Sequence, residues 1–289
     1  MNIETFFNLL LAGVTLGAVY VLMAMGLTIV YGVAKVFNYA QGSFFCWGGY
    51  FAWYLIERFQ WNYLISILVT IVISFFFGIL FENIIILPLR RFPNWEFTVI
   101  IVTLGCALLL DNLILVLFGP LSKTLPFLME GVITFGNFTI SIHNMLMILI
   151  AMAILVTLDL FLKKTRTGMA MRAVSQDITG AKIVGLPVNR LYSYSFGIAT
   201  MLSAMSAILL IPRTLLYPLV GWTTLLKAFV VIVLGGLGNI KGTIIAAIIL
   251  SIVEIFTSYL IGGIWAMPIF IIIMIVILIF KPKGLFGTW

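Results

Sequence analysis

From Thr5 to Ala34 the chain places thirty residues in a row without a charge, and it repeats the device: residues 36–56, 59–81, 191–212 and 255–280 are likewise uncharged. A helix crossing the hydrocarbon of a bilayer needs about 20 mostly apolar residues. Successive runs of this length, with Lys and Arg mainly in the gaps, leave too little polar surface to clothe a water-soluble globule. Charged residues make up 9% of the 289, against about 25% in soluble domains, and the mean hydropathy is +1.25. The chain reads as an all-α, polytopic integral membrane bundle, one domain over residues 1–289.

Spans fall near 7–31, 36–56, 62–86, 96–118, 140–162, 191–212, 223–240 and 243–280, the last of these eight ranges holding two helices split at Gly262-Gly263; about eight crossings are expected, and up to ten with broken or re-entrant segments. The ranges 36–56 and 223–240 are rich in Gly and polar residues, the composition of a broken or re-entrant helix. Lys163, Lys164, Arg166, Arg172, Lys182 and Arg190 share one connection, Arg90 and Arg91 mark another, and Lys281 and Lys283 the tail. Cytoplasmic loops collect Lys and Arg. The N-terminus is therefore expected outside, the C-terminus in the cytoplasm, and 119–139 on the outer side as a structured loop or short hairpin. The first apolar run lacks the basic flank and cleavage site of a signal peptide and is expected to remain as a helix. The net charge of +7 reflects these topology signals; no basic patch interleaved with aromatics suggests nucleic acid. Cys46 and Cys106 lie in apolar runs and read as small buried residues.

Chemistry-bearing constellations are few. No metal-ligand cluster or serine nucleophile elbow is present, which argues against an enzyme. His143, the single histidine, opens a span and reads as an interface residue. "GGLGNIKGT" (235–243) places Lys241 before Gly242, which breaks the order of a phosphate loop; the chain shows no nucleotide site of its own, and if transport is powered by ATP another subunit must bind it. Glu254, Asp111 beside Asn112, and Asn38 with Gln41 lie at membrane depth. A charge at the bilayer centre costs about 2.5–3.5 kcal/mol on insertion scales, so Glu254 must face protein or water, as a carboxylate bonded between helices or as part of a pathway. Unwound backbone near Asn38, Gln41 and Gly42 is tolerated only where it is buried in protein or lines a cavity. Gly13-x-x-x-Gly17 and Gly238-x-x-x-Gly242 are patterns for close helix packing. "YGVAKVFNYAQGSFF" (31–45) and "LGGLGNIKGTII" (234–245) echo one another, as in a duplicated bundle.

The polar island "GMAMRAVSQDITGAKIVGLP" (168–187) is different in kind. Met171, Val174, Ile178 and Ala181 fall on one helical arc, with Arg172, Ser175, Gln176, Thr179 and Lys182 opposite. Asp177 is placed to cap a second short helix, 178–184, which Gly185 ends and Pro187 keeps from continuing. One or two amphipathic helices at the cytoplasmic face are expected, suited to the membrane surface or to a groove in another protein.

Three blocks, "GVTLGAVYVLMAMGLTIVYGVAKVFNYAQGSFFCWGGY" (13–50), "RTGMAMRAVSQDITGAKIVGLPVNRL" (166–191) and "AFVVIVLGGLGNIKGTIIAAIIL" (228–250), occur in the order found in bacterial branched-chain amino acid ABC transporter permeases, and the chain resembles that family over nearly its whole length. The resemblance implies an inner-membrane permease that pairs with a second, identical or related permease. It also implies docking of two cytoplasmic ATPase subunits, which hold the ATP and Mg, and receipt of amino acid from a solute-binding protein. It places Gly168, Arg172, Ala173, Asp177, Ala181 and Gly185 in the loop, within 163–190, that couples to the ATPases. "RAVSQDITG" departs from the E-A-A-x-x-x-G of many ABC permeases, and Gln41 stands where the family often has His. Urea, short amides or another small organic solute therefore stay open as cargo. Thr15, Asn38, Gln41, Gly42 and Glu254 are the candidate pathway residues. The rival is a proton-coupled secondary transporter using Glu254 or Asp111.

Overall fold

The structure, a computed structural model, describes residues 3–135 and 138–287. Its helices are α1 (Ile3–Ala34), α2 (Gln41–Trp53), α3 (Tyr63–Phe81), α4 (Leu87–Leu89), α5 (Trp95–Phe118), α6 (Ile142–Lys164), α7 (Arg166–Gln176), α8 (Ile178–Ile183), α9 (Val188–Leu210), α10 (Val220–Gly235), α11 (Ile240–Leu260) and α12 (Ala266–Phe280). A π-helical turn, Glu82–Ile86, joins α3 to α4. Among the described residues, seven helical segments are long and apolar enough to cross a membrane, and α10 is a shorter apolar helix. With the 13-residue α2, nine segments occupy the ranges read as about eight crossings. The range 243–280 does hold two helices, parted at Gly262.

α9 is the centre. It is buried nearly all round, packed against α1, α2 and α3. Its small residues Gly197, Ala199, Ser203, Ala204 and Ala207 let neighbouring backbones come close, which is how helices associate when lipid is as apolar as their side chains. α1 lies between α9 and α11. A Cβ at Gly13 would stand 2.9 Å from Ile252 Cα, and one at Gly17 would stand 2.5 Å from Ser251 Oγ, so that small-residue pair serves packing within the chain. α6 and α12 show rows of exposed apolar side chains, among them Met152, Val156, Ile272 and Ile279, as a lipid-facing periphery requires.

Both doubtful spans are interrupted. After α1 the chain takes positive φ at Lys35 (57°), runs unwound over 36–40, and resumes as a helix at the fully buried Gln41. Phe37 stacks on Tyr31 (4.7 Å between centroids) and reaches Phe229 (5.2 Å), which keeps the unwound stretch inside the bundle. In the second, α10 stops at Gly235 and a turn leads into α11, where Asn239 Oδ1 accepts from Gly242 N (3.1 Å). The C-terminal tail docks there, with Leu285 N donating to Leu234 O (2.7 Å) and Asn239 Nδ2 to Phe286 O (2.7 Å). The glycines of "GGLGNIKG" thus let backbones cross. The two echoing segments share this helix–break–helix form.

The loop between α5 and α6 contains the expected hairpin: β1 (Val132–Phe135) pairs antiparallel with β2 (Phe138–Ser141), Val132 opposite Ser141. Lys123 and Leu216 exchange backbone hydrogen bonds (2.8 and 2.9 Å), tying the loop after α5 to the one before α10. His143 is buried beneath this loop and accepts at Nδ1 from Leu128 N (3.3 Å).

Candidate functional site: an amphipathic ledge and the polar groups of the bundle

The island folds as two short amphipathic helices, α7 and α8. Thr165 Oγ1 accepts from Gly168 N (3.0 Å) and opens α7; Asp177 Oδ1 accepts from Thr179 N (2.9 Å) and opens α8. Gly185, at φ +81°, turns the chain out of α8 in the left-handed conformation that glycine adopts without penalty. Met171, Val174 and Ala181 are buried and Ile178 half-buried, while Arg172, Ala173, Gln176, Asp177, Thr179 and Lys182 are exposed. Of the six coupling candidates, Gly168 and Ala181 face inward. A Cβ at Gly168 would stand 2.6 Å from Leu162 Cα, so this position fixes how closely α7 folds back on α6. Arg172, Ser175 and Gln176 line one wall of a groove of about 570 Å³, and Leu237–Lys241 the other.

Ile183 and Val184 were not singled out from sequence. They are 80% and 74% exposed and project from the end of α8. Their signal was local: two consecutive aliphatics off the apolar arc.

Just past the ledge, α9 begins at a clamp that sequence reasoning also missed. Glu82, fully buried, pairs with Arg90 and accepts from Ser193 Oγ, and Arg90 Nη1 donates to Asn189 Oδ1 (3.2 Å). The guanidinium lies over the Tyr192 ring at 4.1 Å. Burial pulls the Arg90 pKa below its ordinary value, while Glu82 and Tyr192 oppose that shift.

Deeper in the bundle, Asn38, Gln41 and Gly42 come together. Gln41 Nε2 donates to Ala199 O (2.8 Å) and to Ser203 Oγ; Asn38 Nδ2 donates weakly to Gln41 Oε1 (3.4 Å). Gly42 abuts Gly221, whose carbonyl oxygen would stand 2.7 Å from an added Cβ. This network is closed in the present conformation. Thr15 is elsewhere, its hydroxyl bonded to Leu11 O (2.9 Å), eight residues or about 12 Å along α1 from Met23, which touches Ser203. Glu254 belongs to another cluster. Tyr20 Oη donates to Glu254 Oε2 (2.8 Å), and Lys227 Nζ donates to Glu254 Oε1 (2.6 Å) and Tyr20 Oη (2.9 Å). Lys227, the lone basic residue of α10, was the overlooked partner. Asp111 accepts from Trp222 Nε1 at Oδ2 (2.7 Å), while its Oδ1 has no hydrogen-bond partner.

Compared with known proteins, residues 9–279 match the family described as branched-chain amino acid transport system / permease component. Relatives include the high-affinity branched-chain amino acid transport system permease protein BraD of Pseudomonas aeruginosa, 28% identical over 96% of this chain and 94% of the relative. The corresponding permease protein LivH of Escherichia coli is 28% identical over 95% and 93%. A probable branched-chain amino acid transport permease protein LivH of Methanocaldococcus jannaschii is 26% identical over 93% and 88%.

Proposed function

The chain belongs to the branched-chain amino acid transport permease family, and from that premise we propose that it lines the route of leucine, isoleucine or valine across the cell (inner) membrane, driven by ATP hydrolysed in two separate ATPase subunits. The relatives' names supply the cargo; uptake of a panel of amino acids, urea and short amides tests it. The observation that carries the coupling is the ledge. α7 and α8 expose Arg172, Gln176, Asp177 and Lys182 beside the aliphatic pair Ile183 and Val184, the mixture of apolar anchor and polar rim that a protein partner covers.

The ledge has a direct mechanical line inward. Leu186 and Pro187 join α8 to α9, and α9 carries Ala199 and Ser203, which hold Gln41 at the start of α2. Movement imposed on the ledge by ATP-driven closure of the motors displaces α9 and, with it, the broken helix at 36–42. Alternating access follows, with a loaded solute-binding protein favouring the state it binds best. On this reading Gly168, Arg172, Ala173, Asp177, Ala181 and Gly185 shape the coupling surface, and Asn38, Gln41 and Gly42 move with the pathway wall.

A second permease subunit is supported by the polar face of α10 and α5. Exposed Thr223 stands one turn from half-buried Lys227, and exposed Asn112 lies beside Asp111. Polar side chains at membrane depth turn toward protein or water rather than lipid. With α2 and α10 crossing beside the seven longer helices, nine crossings, an odd number, would leave the start of α1 and the end of α12 on opposite sides, which supports an outer N-terminus, a cytoplasmic C-terminus and an inner ledge.

The test is recovery of the cognate ATPase by the tagged permease. Ile183→Asp/Val184→Asp, on an exposed surface, is expected to leave thermal stability within about 0.5 kcal/mol of wild type and to reduce ATPase recovery at least tenfold. Charge reversal at Arg172 or Asp177 is expected to do the same more weakly. Undiminished recovery together with unchanged uptake would remove the ledge from the mechanism.

A further inference from the structure

Three carboxylates are buried among the described residues: Glu82, Asp111 and Glu254. Two of them have a cation. Glu82 has Arg90, and Glu254 has Lys227. Asp111 has none among the described residues. One of its oxygens accepts from the Trp222 indole N–H and the other has no partner of hydrogen-bond geometry; the neighbouring Ser43 hydroxyl, close enough to interact with the carboxylate, directs its proton to Ala107 O (3.2 Å). A carboxylate in this setting lacks a positive charge that its two counterparts possess.

Asp111 also differs in what it faces. It lies two turns before α5 ends at Phe118 and lines a cavity of about 320 Å³ between α5 and the 217–219 turn. That volume is at the lower end of small-molecule pockets, about 300–1,000 Å³. Leu115, Pro120 and Leu219 form an apolar wall. Asn112, at the same opening, gives one amide proton to Leu108 O (2.7 Å) and keeps a second free to donate. A single unpaired acceptor, an adjacent free donor and an aliphatic wall match the three parts of a small aliphatic α-amino acid.

We propose that this cavity is a substrate subsite at the outer end of the permease, in which Asp111 Oδ1 takes the α-ammonium of the amino acid, Asn112 its carboxylate, and Leu115, Pro120 and Leu219 its branched side chain. The proposal rests on the transport reading above and adds to it the residue that recognises charge. Trp222 fixes the carboxylate's rotation by holding Oδ2, which leaves Oδ1, buried in the present conformation, as the oxygen without a partner. Urea and simple amides carry no ammonium, and the subsite discriminates against them for that reason.

The experiment uses the assembled transporter with Leu219→Cys as a reporter, labelled with a maleimide; the transporter without this substitution gives the background from Cys46 and Cys106. Leucine and 3-methylbutylamine, which keeps the ammonium and the aliphatic chain, are expected to slow labelling at least fivefold. The chain-matched acid 4-methylpentanoate is expected to leave it unchanged. Equal protection by amine and acid, or by neither, overturns the proposal without needing any change at Asp111. In proteoliposomes, Asp111→Asn is expected to cut leucine uptake at least tenfold at unchanged ATPase recovery, with Asp111→Glu restoring part. A merely structural, protonated Asp111 would let Asn, its near-isostere, transport as wild type, and that result also overturns the proposal. If the unaltered transporter moves no leucine, the cargo reading fails, while the amine–acid comparison still decides whether Asp111 binds an ammonium.

Discussion

Lys227→Met is expected to destabilise the folded permease by up to about 3 kcal/mol, the low end of the cost of breaking a fully buried ion pair from one side because Lys227 is only partly buried, while Lys227→Met/Glu254→Met is expected to recover most of that loss. Lys227 Nζ touches both Glu254 Oε1 and Tyr20 Oη, so removing it leaves the carboxylate with one neutral donor, the tyrosine hydroxyl. Such a charge cannot reach water easily from the middle of α11, whereas an orphaned lysine has a flexible stem with which to seek the interface. Glu254→Met alone should therefore be the milder single change. Thermal scanning of the detergent-purified protein orders the four forms, and single variants as stable as wild type would show that the pair is not desolvated. The same geometry bears on proton coupling. Glu254 is already held by an ammonium and a hydroxyl, so Glu254→Gln should leave uptake dependent on ATP; uptake driven by a proton gradient and abolished by that change would favour the secondary-transport alternative.

What could be read from sequence was what is local. Long uncharged runs specify helices because lipid offers the backbone no other partners. The ledge was legible down to its caps, because Asp177, Gly185 and Pro187 act within a few residues of where they stand. The weakness of 36–56 and 223–240 was visible in their Gly and polar content, but the place of the first break was not. It depends on Gln41 finding Ala199 and Ser203, more than 150 positions away. Lys227 and Glu254 are partners across two helices, and Glu82 reaches Arg90 over a π-helical turn that no periodicity announces. Nor does composition distinguish a polar residue sealed in a packed core, as Gln41 is here, from one lining a cavity, as Asp111 does.

α2 offers the second large effect. It is only 13 residues long, too short to be secured by its own hydrogen bonds, and it keeps its place by lying against α9. Gly48 is the point of closest approach to Ala204, whose Cα and Cβ occupy the space where a Cβ at residue 48 would be. α9 cannot retreat, because α1 and α3 pack on its other sides. Overpacking a filled core costs about 1–3 kcal/mol and occasionally more. Gly48→Ala is expected at the upper end of that range, and Gly48→Leu to prevent accumulation of monodisperse protein. Gly48→Ala/Ala204→Gly should return only part of the loss, since the second change removes the obstructing Cβ and leaves the Cα. Seven residues away, about 10 Å along α2, Gln41 bonds to the same helix, so a displaced Gly48 also lifts the N-terminal end of α2 from Ala199 and Ser203. Uptake by the Gly48→Ala protein that does fold should then fall more than its thermal midpoint suggests. A Gly48→Leu protein with wild-type melting and uptake would mean that α2 and α9 do not touch where the structure places them.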